Sequence, residues 1–326
     1  MAYLEGTRAS EDGPDERGRG PKGEAGCRAG RKPAPVTVCS RQDRPGPRRG
    51  GLIGVSRLDL EYDGSRFAGW AVQPGQRTVQ GEVERALCVI LRLERVGLTV
   101  AGRTDAGVHA WRQVASYDGP PASVRSLNAV LPSDVAALGC FSAADGFDAR
   151  RDATSRAYCY RVLARGARSA FEEGRALWWP HPVDVAALSA CAAALVGEHD
   201  FTAFTPAETY HQRFVREVFS AFWQPADGGG DVLEFWIEAD AFMRQMNRVL
   251  MGTMLEVAAG RRSVASFAAL PEGRPRSEAG RTAPAHGLYL AGVGYGGERV
   301  LARDRGLARD RGLARDRGLA RDRGSA

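Results

Sequence analysis

The sequence predicts an α+β protein built of two related lobes, on three observations. A body of about 250 residues, 51–300, lies between two compositionally distinct tails and is long enough to bury a sizeable core. Segments that alternate apolar and polar residues, the mark of half-buried strands, occur in both halves of that body. Each half also carries helical stripes, with apolar residues recurring at three- and four-residue spacing.

The first lobe, 51–155, opens with VSRLDLEY (55–62), whose alternation predicts a strand that Asp63-Gly64 ends. Thr78 is placed to cap a helix with Val79, Val83, Ala86, Leu87, Ile90 and Leu91 along one face. Residues 97–101 predict a second strand leading into GRTDAGVHA (102–110), and RQVASY (112–117) predicts a third. A short helix over 124–130 leads to Leu131-Pro132, and strand pattern returns at 157–163. The second lobe, 156–300, holds an Ala-rich helix over 184–196. Strands over 214–223 and 232–239 follow, joined as a hairpin by a Gly-rich turn at 228–230. A helix then carries Met246, Val249, Leu250, Thr253, Met254 and Val257 on one stripe, and a strand over 287–295 closes the lobe.

The chain of 326 residues has 45 Lys and Arg against 39 Asp and Glu, a net charge of +6. The excess belongs to the ends. Residues 1–50 hold 11 basic and 7 acidic residues, and residues 301–324 hold 8 Arg and 4 Asp. The body is left with 26 basic and 28 acidic residues, which excludes a uniformly basic nucleic-acid module but not a local basic cleft. Both lysines, Lys22 and Lys32, lie in the first tail, so a cationic site in the body must use arginine or protonated histidine. Residues 1–50, rich in Gly and Pro, read as a disordered basic tail. Residues 301–326 read as a low-complexity tail, because LARDRG occurs four times in tandem with a single leucine per copy. No apolar run approaches the ~20 residues of a membrane span, and no stretch near the start resembles a secretory signal. A cytoplasmic protein with no membrane association is expected. Six cysteines without a CxxC pair and five histidines without an HxxxH pair predict reduced thiols and no metal site.

GRTDAGVHA packs a carboxylate, a guanidinium, an imidazole and two glycines into nine residues after a strand. Arg103 and Asp105 share a face if the backbone there is extended. On its own the segment reads either as a strand-end turn with a surface ion pair or as a carboxylate held ionised by arginines in a cleft. His109 reads as structural rather than as a base.

The segment resembles the active-site motif of the TruA family of tRNA pseudouridine synthases, and further matches follow in the family's order. EYDGSRFAGW (61–70), Thr78-Val79-Gln80, NAVLP (128–132), FDAR (147–150) and SRAYCY (155–160) resemble its earlier segments; GEHDFTAF (197–204), FMRQMNR (242–248) and PAHGLYL (284–290) resemble its later ones. The resemblance covers residues 55–296. It implies the pseudouridine synthase fold, with mostly antiparallel sheets flanked by helices and an active-site cleft between the lobes. It implies isomerisation of uridine at positions 38, 39 and 40 in the anticodon arm of tRNA, by a homodimer that needs no cofactor. By the same resemblance Asp105 matches the catalytic aspartate, Arg248 the arginine that pairs with it, and Tyr158 the tyrosine that stacks on the target base. Arg103 matches the arginine that helps displace the nucleotide, and Leu288 an apolar residue of the pocket.

Physical reasons support those roles. A carboxylate can add to the base at C6 or assist its loss from C1′, and an elimination route through a glycal is a third possibility. A guanidinium offsets the desolvation of an ionised carboxylate. Arg248 follows Arg244 by four residues and shares a helix face with it. Tyr160 has the same side-chain direction as Tyr158, so either tyrosine could be the stacker. Candidate phosphate contacts are Arg66, Arg77, Arg150, Arg151, Arg156, Arg213, Arg216 and Arg244. Three departures from the family pattern stand out: Ala71 in place of Gln, Asp148 in place of His, and Asn247 in place of an apolar residue. Two other readings are the same chemistry on other RNA sites and an RNA-binding or chaperone protein with a decayed site.

Overall fold

A computed structural model of the chain describes residues 54–209, 212–226 and 230–304. The expected N-terminal tail, most of the 228–230 turn and the LARDRG copies beyond residue 304 lie outside the described residues. Strands β1 (Val55–Tyr62), β2 (Thr99–Val100), β3 (His109–Asp118), β4 (Val135–Ser142) and β5 (Ala153–Leu163) come first. Then follow β6 (Leu177–Trp178), β7 (Gly197–Asp200), β8 (Val215–Pro225), β9 (Val232–Ala239) and β10 (Leu288–Tyr295). They form one sheet in the order β4-β1-β3-β10-β5-β9-β8-β7, with β2 added to β3 and β6 to β5. Pairing is antiparallel except where β10 meets β3 and β5 meets β6. The expected division after residue 155 falls inside β5, and the sheet runs through it unbroken.

Helices α1 (Val79–Leu91), α2 (Val124–Val130), α3 (Val185–Ala193), α4 (Met246–Ala258) and α5 (Val264–Ala268) share one continuous apolar core with the sheet. Helix α1 forms where expected: Thr78 caps it by accepting from Gly81 N–H, and Val79, Val83, Ala86 and Leu87 are buried. Helix α4 has no side-chain cap. It is entered through Gln245 in the left-handed region at φ 60°, so Arg244 stands before the helix rather than on its face. That corrects the expectation that Arg244 and Arg248 share a helical face. Within α4, Gly252 is required by sterics, because a Cβ there would collide with the carbonyl of Arg281. The 281–283 segment can therefore lie directly against the helix.

β6, β7 and α5 have no counterpart among the predicted elements, and two further departures are informative. β4 is an edge strand that the periodicity missed, since VAALGCFS is rich in small residues and leaves Leu138 and Phe141 exposed. The tail expected from residue 301 starts instead as a helical turn, α6 (Val300–Asp304). Leu301 of the first LARDRG copy is buried against Cys159, Trp236 and Tyr289, and Glu238 accepts from the Val300 and Leu301 N–H groups at 2.7 and 2.9 Å. One copy's leucine thus joins the core.

Candidate active site

The GRTDAGVHA segment runs from the end of β2 into β3 and is held by its neighbours. Trp70 N–H donates to the Thr104 carbonyl at 3.0 Å, and Val108 N–H closes a turn on the Asp105 carbonyl at 3.1 Å. The glycines of EYDGSRFAGW permit this approach. A Cβ on Gly64 would run into the Val108 carbonyl, and Gly69, at φ +98°, lies where a Cβ would press on Thr104 O at 2.9 Å. The two sequence motifs are two sides of one close backbone contact.

Asp105 opens onto a cleft of about 850 Å³ bounded by both halves of the sheet and by the entrance to α4. Arg248, in the first turn of α4, donates through Nη1 to Asp105 Oδ2 at 3.2 Å. Its Nε donates to the Ala283 carbonyl at 2.8 Å, which the 281–283 segment delivers. Six arginines line the cleft: Arg103, Arg150, Arg156, Arg216, Arg244 and Arg248. Asp105 is the only carboxylate among the described residues that does so. The slightly acidic body thus has a locally cationic cleft.

Tyr158 lines the cleft, with its ring edge-on to Phe242 at 5.0 Å and its hydroxyl pKa pushed up by burial. Tyr160 is sealed in the core and donates to the Pro284 carbonyl at 2.8 Å. Of the two tyrosines, only Tyr158 presents itself to the cleft. Leu288 is buried and lines it too.

The other predicted cations divide. Arg103 and Arg150 are exposed at the rim. Arg216 is nine-tenths buried in the wall, its pKa lowered by that burial, and its Nε has no hydrogen-bond partner. Arg156 is a clamp: its guanidinium donates to the carbonyls of Ala101, Ala153, Asp240 and Arg150. Arg66 and Arg77 lie outside the cleft, on Asp134, at 3.8 and 2.8 Å. Arg151 pairs with Asp152 at 3.0 Å, and Arg213 is exposed away from the cleft.

His109 is structural. It is 2% exposed, its Nδ1 accepts from Gly64 N–H at 3.0 Å, and its Nε2 lies 3.0 Å from the His286 carbonyl. Burial lowers its pKa, against the Asp63 carboxylate 3.2 Å from Nδ1, which favours the charged ring. Sequence reasoning assigned no role to Tyr62 and Phe242, although both lie in quoted motifs (61–70 and 242–248), and it passed over Gln113, which lies in none. Asn247 left a signal as a departure from the family pattern; it is buried in the cleft wall with Oδ1 unpartnered. Among the described residues no group of three or more His, Cys, Asp or Glu side chains could hold a metal. None of the described helices is long and apolar enough to cross a membrane.

Comparison with known proteins places the chain among close relatives. A family model described as tRNA pseudouridine synthase matches residues 191–296. A tRNA pseudouridine synthase A of Frankia casuarinae is 46% identical over 258 residues, covering 77% of this chain and 93% of that one. Proteins of the same name from Geobacillus sp. and Myxococcus xanthus are 39% and 41% identical, each over 73% of this chain and over 97% and 91% of their own lengths. Among solved structures, a Cbf5–Nop10–Gar1 complex gives a TM-score of 0.27 at 10% identity, over 61% of this chain and 53% of that one.

Proposed function

Because the chain belongs to the tRNA pseudouridine synthase A family, an isomerase family acting on tRNA uridine, we propose that it converts uridines 38, 39 and 40 of the anticodon arm, with Asp105 as nucleophile. The observation that carries this reading is the Asp105–Arg248 contact on the wall of an arginine-lined cleft. The reaction breaks the N1–C1′ bond, turns the uracil and rejoins it through C5; the C5 hydrogen leaves to solvent as a proton and N1 takes up a proton from solvent. It is redox-neutral and transfers no group from a donor, so no cofactor is required. Arg248 holds and aims the carboxylate through Oδ2 while leaving its other oxygen open to the cleft. The target uridine leaves the helical stack at a cost of a few kcal/mol. Arg103, exposed at the rim beside Asp105, takes its place in the stem. Tyr158 offers its ring to the extruded uracil, worth ~1–3 kcal/mol, and Leu288 completes the apolar side of the pocket. Arg150, Arg216 and Arg244 hold phosphates, and a cytoplasmic homodimer supplies the rest of the RNA track.

The test is position-resolved mapping of pseudouridine in an unmodified tRNA transcript bearing uridines at 38–40, with the parent chain and Asp105→Ala. Product at those positions that vanishes in the variant supports the reading. Product only elsewhere moves the target, and tight binding without product overturns the activity.

A further inference from the structure

Two buried side chains, Tyr62 of β1 and Gln113 of β3, hold the loop that bears Asp105, in part through the buried Thr104 of the loop itself. Gln113 of β3 is fully buried; its Nε2 donates to the Gly102 carbonyl at 2.8 Å and to the Tyr62 hydroxyl oxygen at 3.2 Å. Its Oε1 accepts from Val114 N–H at 3.2 Å, which fixes which end of the amide faces the loop. The Tyr62 oxygen therefore accepts from Gln113, and the Tyr62 hydroxyl shares a hydrogen bond with Thr104 Oγ1, 2.8 Å away. Burial pushes the Tyr62 hydroxyl up to about 12, so it stays protonated at neutral pH. The register of β1 and β3 builds this alignment. Leu60 faces Gln113 but Tyr62 faces Ala110, so β3 carries one residue more than β1 between the two pairs. Such a bulge re-aims side chains toward a site.

The hydrogen-bonded chain of Gln113, Tyr62 and Thr104 grips the loop at Gly102 and at Thr104, on both sides of Arg103 and directly before Asp105. Backbone bonds such as Trp70 N–H to the Thr104 carbonyl fix the path of the chain, whereas the hydroxyl contact also fixes the Thr104 side chain. We infer that Tyr62, Gln113 and Thr104 are positioning residues for the isomerisation, setting where the Asp105 carboxylate stands relative to Arg248 and the extruded uridine. This rests on the reading of Asp105 as nucleophile.

The experiment measures single-turnover pseudouridine formation on the same transcript, with tRNA Kd and melting temperature from the same preparations. The proteins are the parent, Thr104→Val, Thr104→Ser, Tyr62→Phe and the Thr104→Val/Tyr62→Phe double variant. Misplacing a reacting group by a fraction of an ångström slows Thr104→Val and Tyr62→Phe by ~10- to 100-fold, while Kd stays within about twofold. Thr104→Ser restores the rate because it keeps the hydroxyl. The double variant is no slower than the slower single one, because both break one chain. An unchanged rate in either single variant overturns the inference. So does a loss matched by weaker tRNA binding, a Thr104→Ser enzyme as slow as Thr104→Val, or additive losses. If Thr104→Val does not fold, Tyr62→Phe, which keeps its ring in the core, carries the test. A parent chain that forms no pseudouridine overturns the functional reading and this inference with it, whereas the other outcomes overturn the positioning role alone.

Discussion

Two aspartate–arginine pairs, one within the first half of the chain and one joining the two halves, are built differently. Asp134 receives Arg77 through two parallel bonds of 2.8 Å, with Arg66 adding a second guanidinium at 3.8 Å. Its side chain is 8% exposed and its carboxyl lies below the ordinary value, first because Arg77 donates to it. Asp105 receives Arg248 through a single contact of 3.2 Å, and its side chain is 32% exposed. The rest of the Arg248 grip is on a backbone carbonyl. The first pair is closed on itself and can do little but hold the loop after Pro132 to the 67–77 segment. The second leaves a carboxylate oxygen facing a cleft. A structural ion pair fills its lone pairs, whereas a functional one keeps some of them open.

The largest expected effect breaks the open pair. Asp105→Asn keeps the shape and removes the nucleophile, and pseudouridine formation falls by at least ~10³-fold with tRNA affinity unchanged, read by single-turnover assay and filter binding. Next, Arg248→Gln removes the guanidinium. The rate falls by ~10²- to 10³-fold, the scale of losing one placed charge-bearing donor, with a smaller change in Kd.

The closed pair responds in the other currency, stability. Asp134→Asn lowers stability by ~1–2 kcal/mol at pH 7, measured by denaturant unfolding, with turnover unchanged. The carboxyl's folded pKa is depressed, so its contribution is present above the unfolded value near ~4 and is lost as pH falls through the folded value. The difference between parent and Asp134→Asn should therefore be full at neutral pH and shrink below about pH 4. The smallest effect runs the opposite way. Asn247→Leu removes a buried, unpartnered oxygen from the α4 entrance and raises stability by ~1 kcal/mol, seen as a higher melting temperature.

Much of the fold was legible because its elements carry strong local signals. β1 spans the alternating run 55–62 as expected, and α1 begins at the residue after its threonine cap. β4 was not legible, because an edge strand of small residues with one wet face has no apolar alternation to show. Nor was the role of Leu301, since nothing local tells the first repeat copy from the rest. At the site, the motifs bring Asp105, Arg103, Tyr158, Leu288 and Arg248 to one cleft. Arg66 stands outside that cleft, exposed beside Asp134, a placement only the folded chain shows. Gln113 and Tyr62 act through contacts separated by 51 residues, which no local pattern encodes.

The most direct measurement sets the two aspartates side by side: single-turnover pseudouridine formation and thermal melting for Asp105→Asn and Asp134→Asn in the full chain. The expected result is a double dissociation, with Asp105→Asn inactive and folded as the parent is, and Asp134→Asn active and less stable. Full turnover in Asp105→Asn, or equal loss of turnover in both, would contradict the assignment of Asp105 as the open, reacting carboxylate.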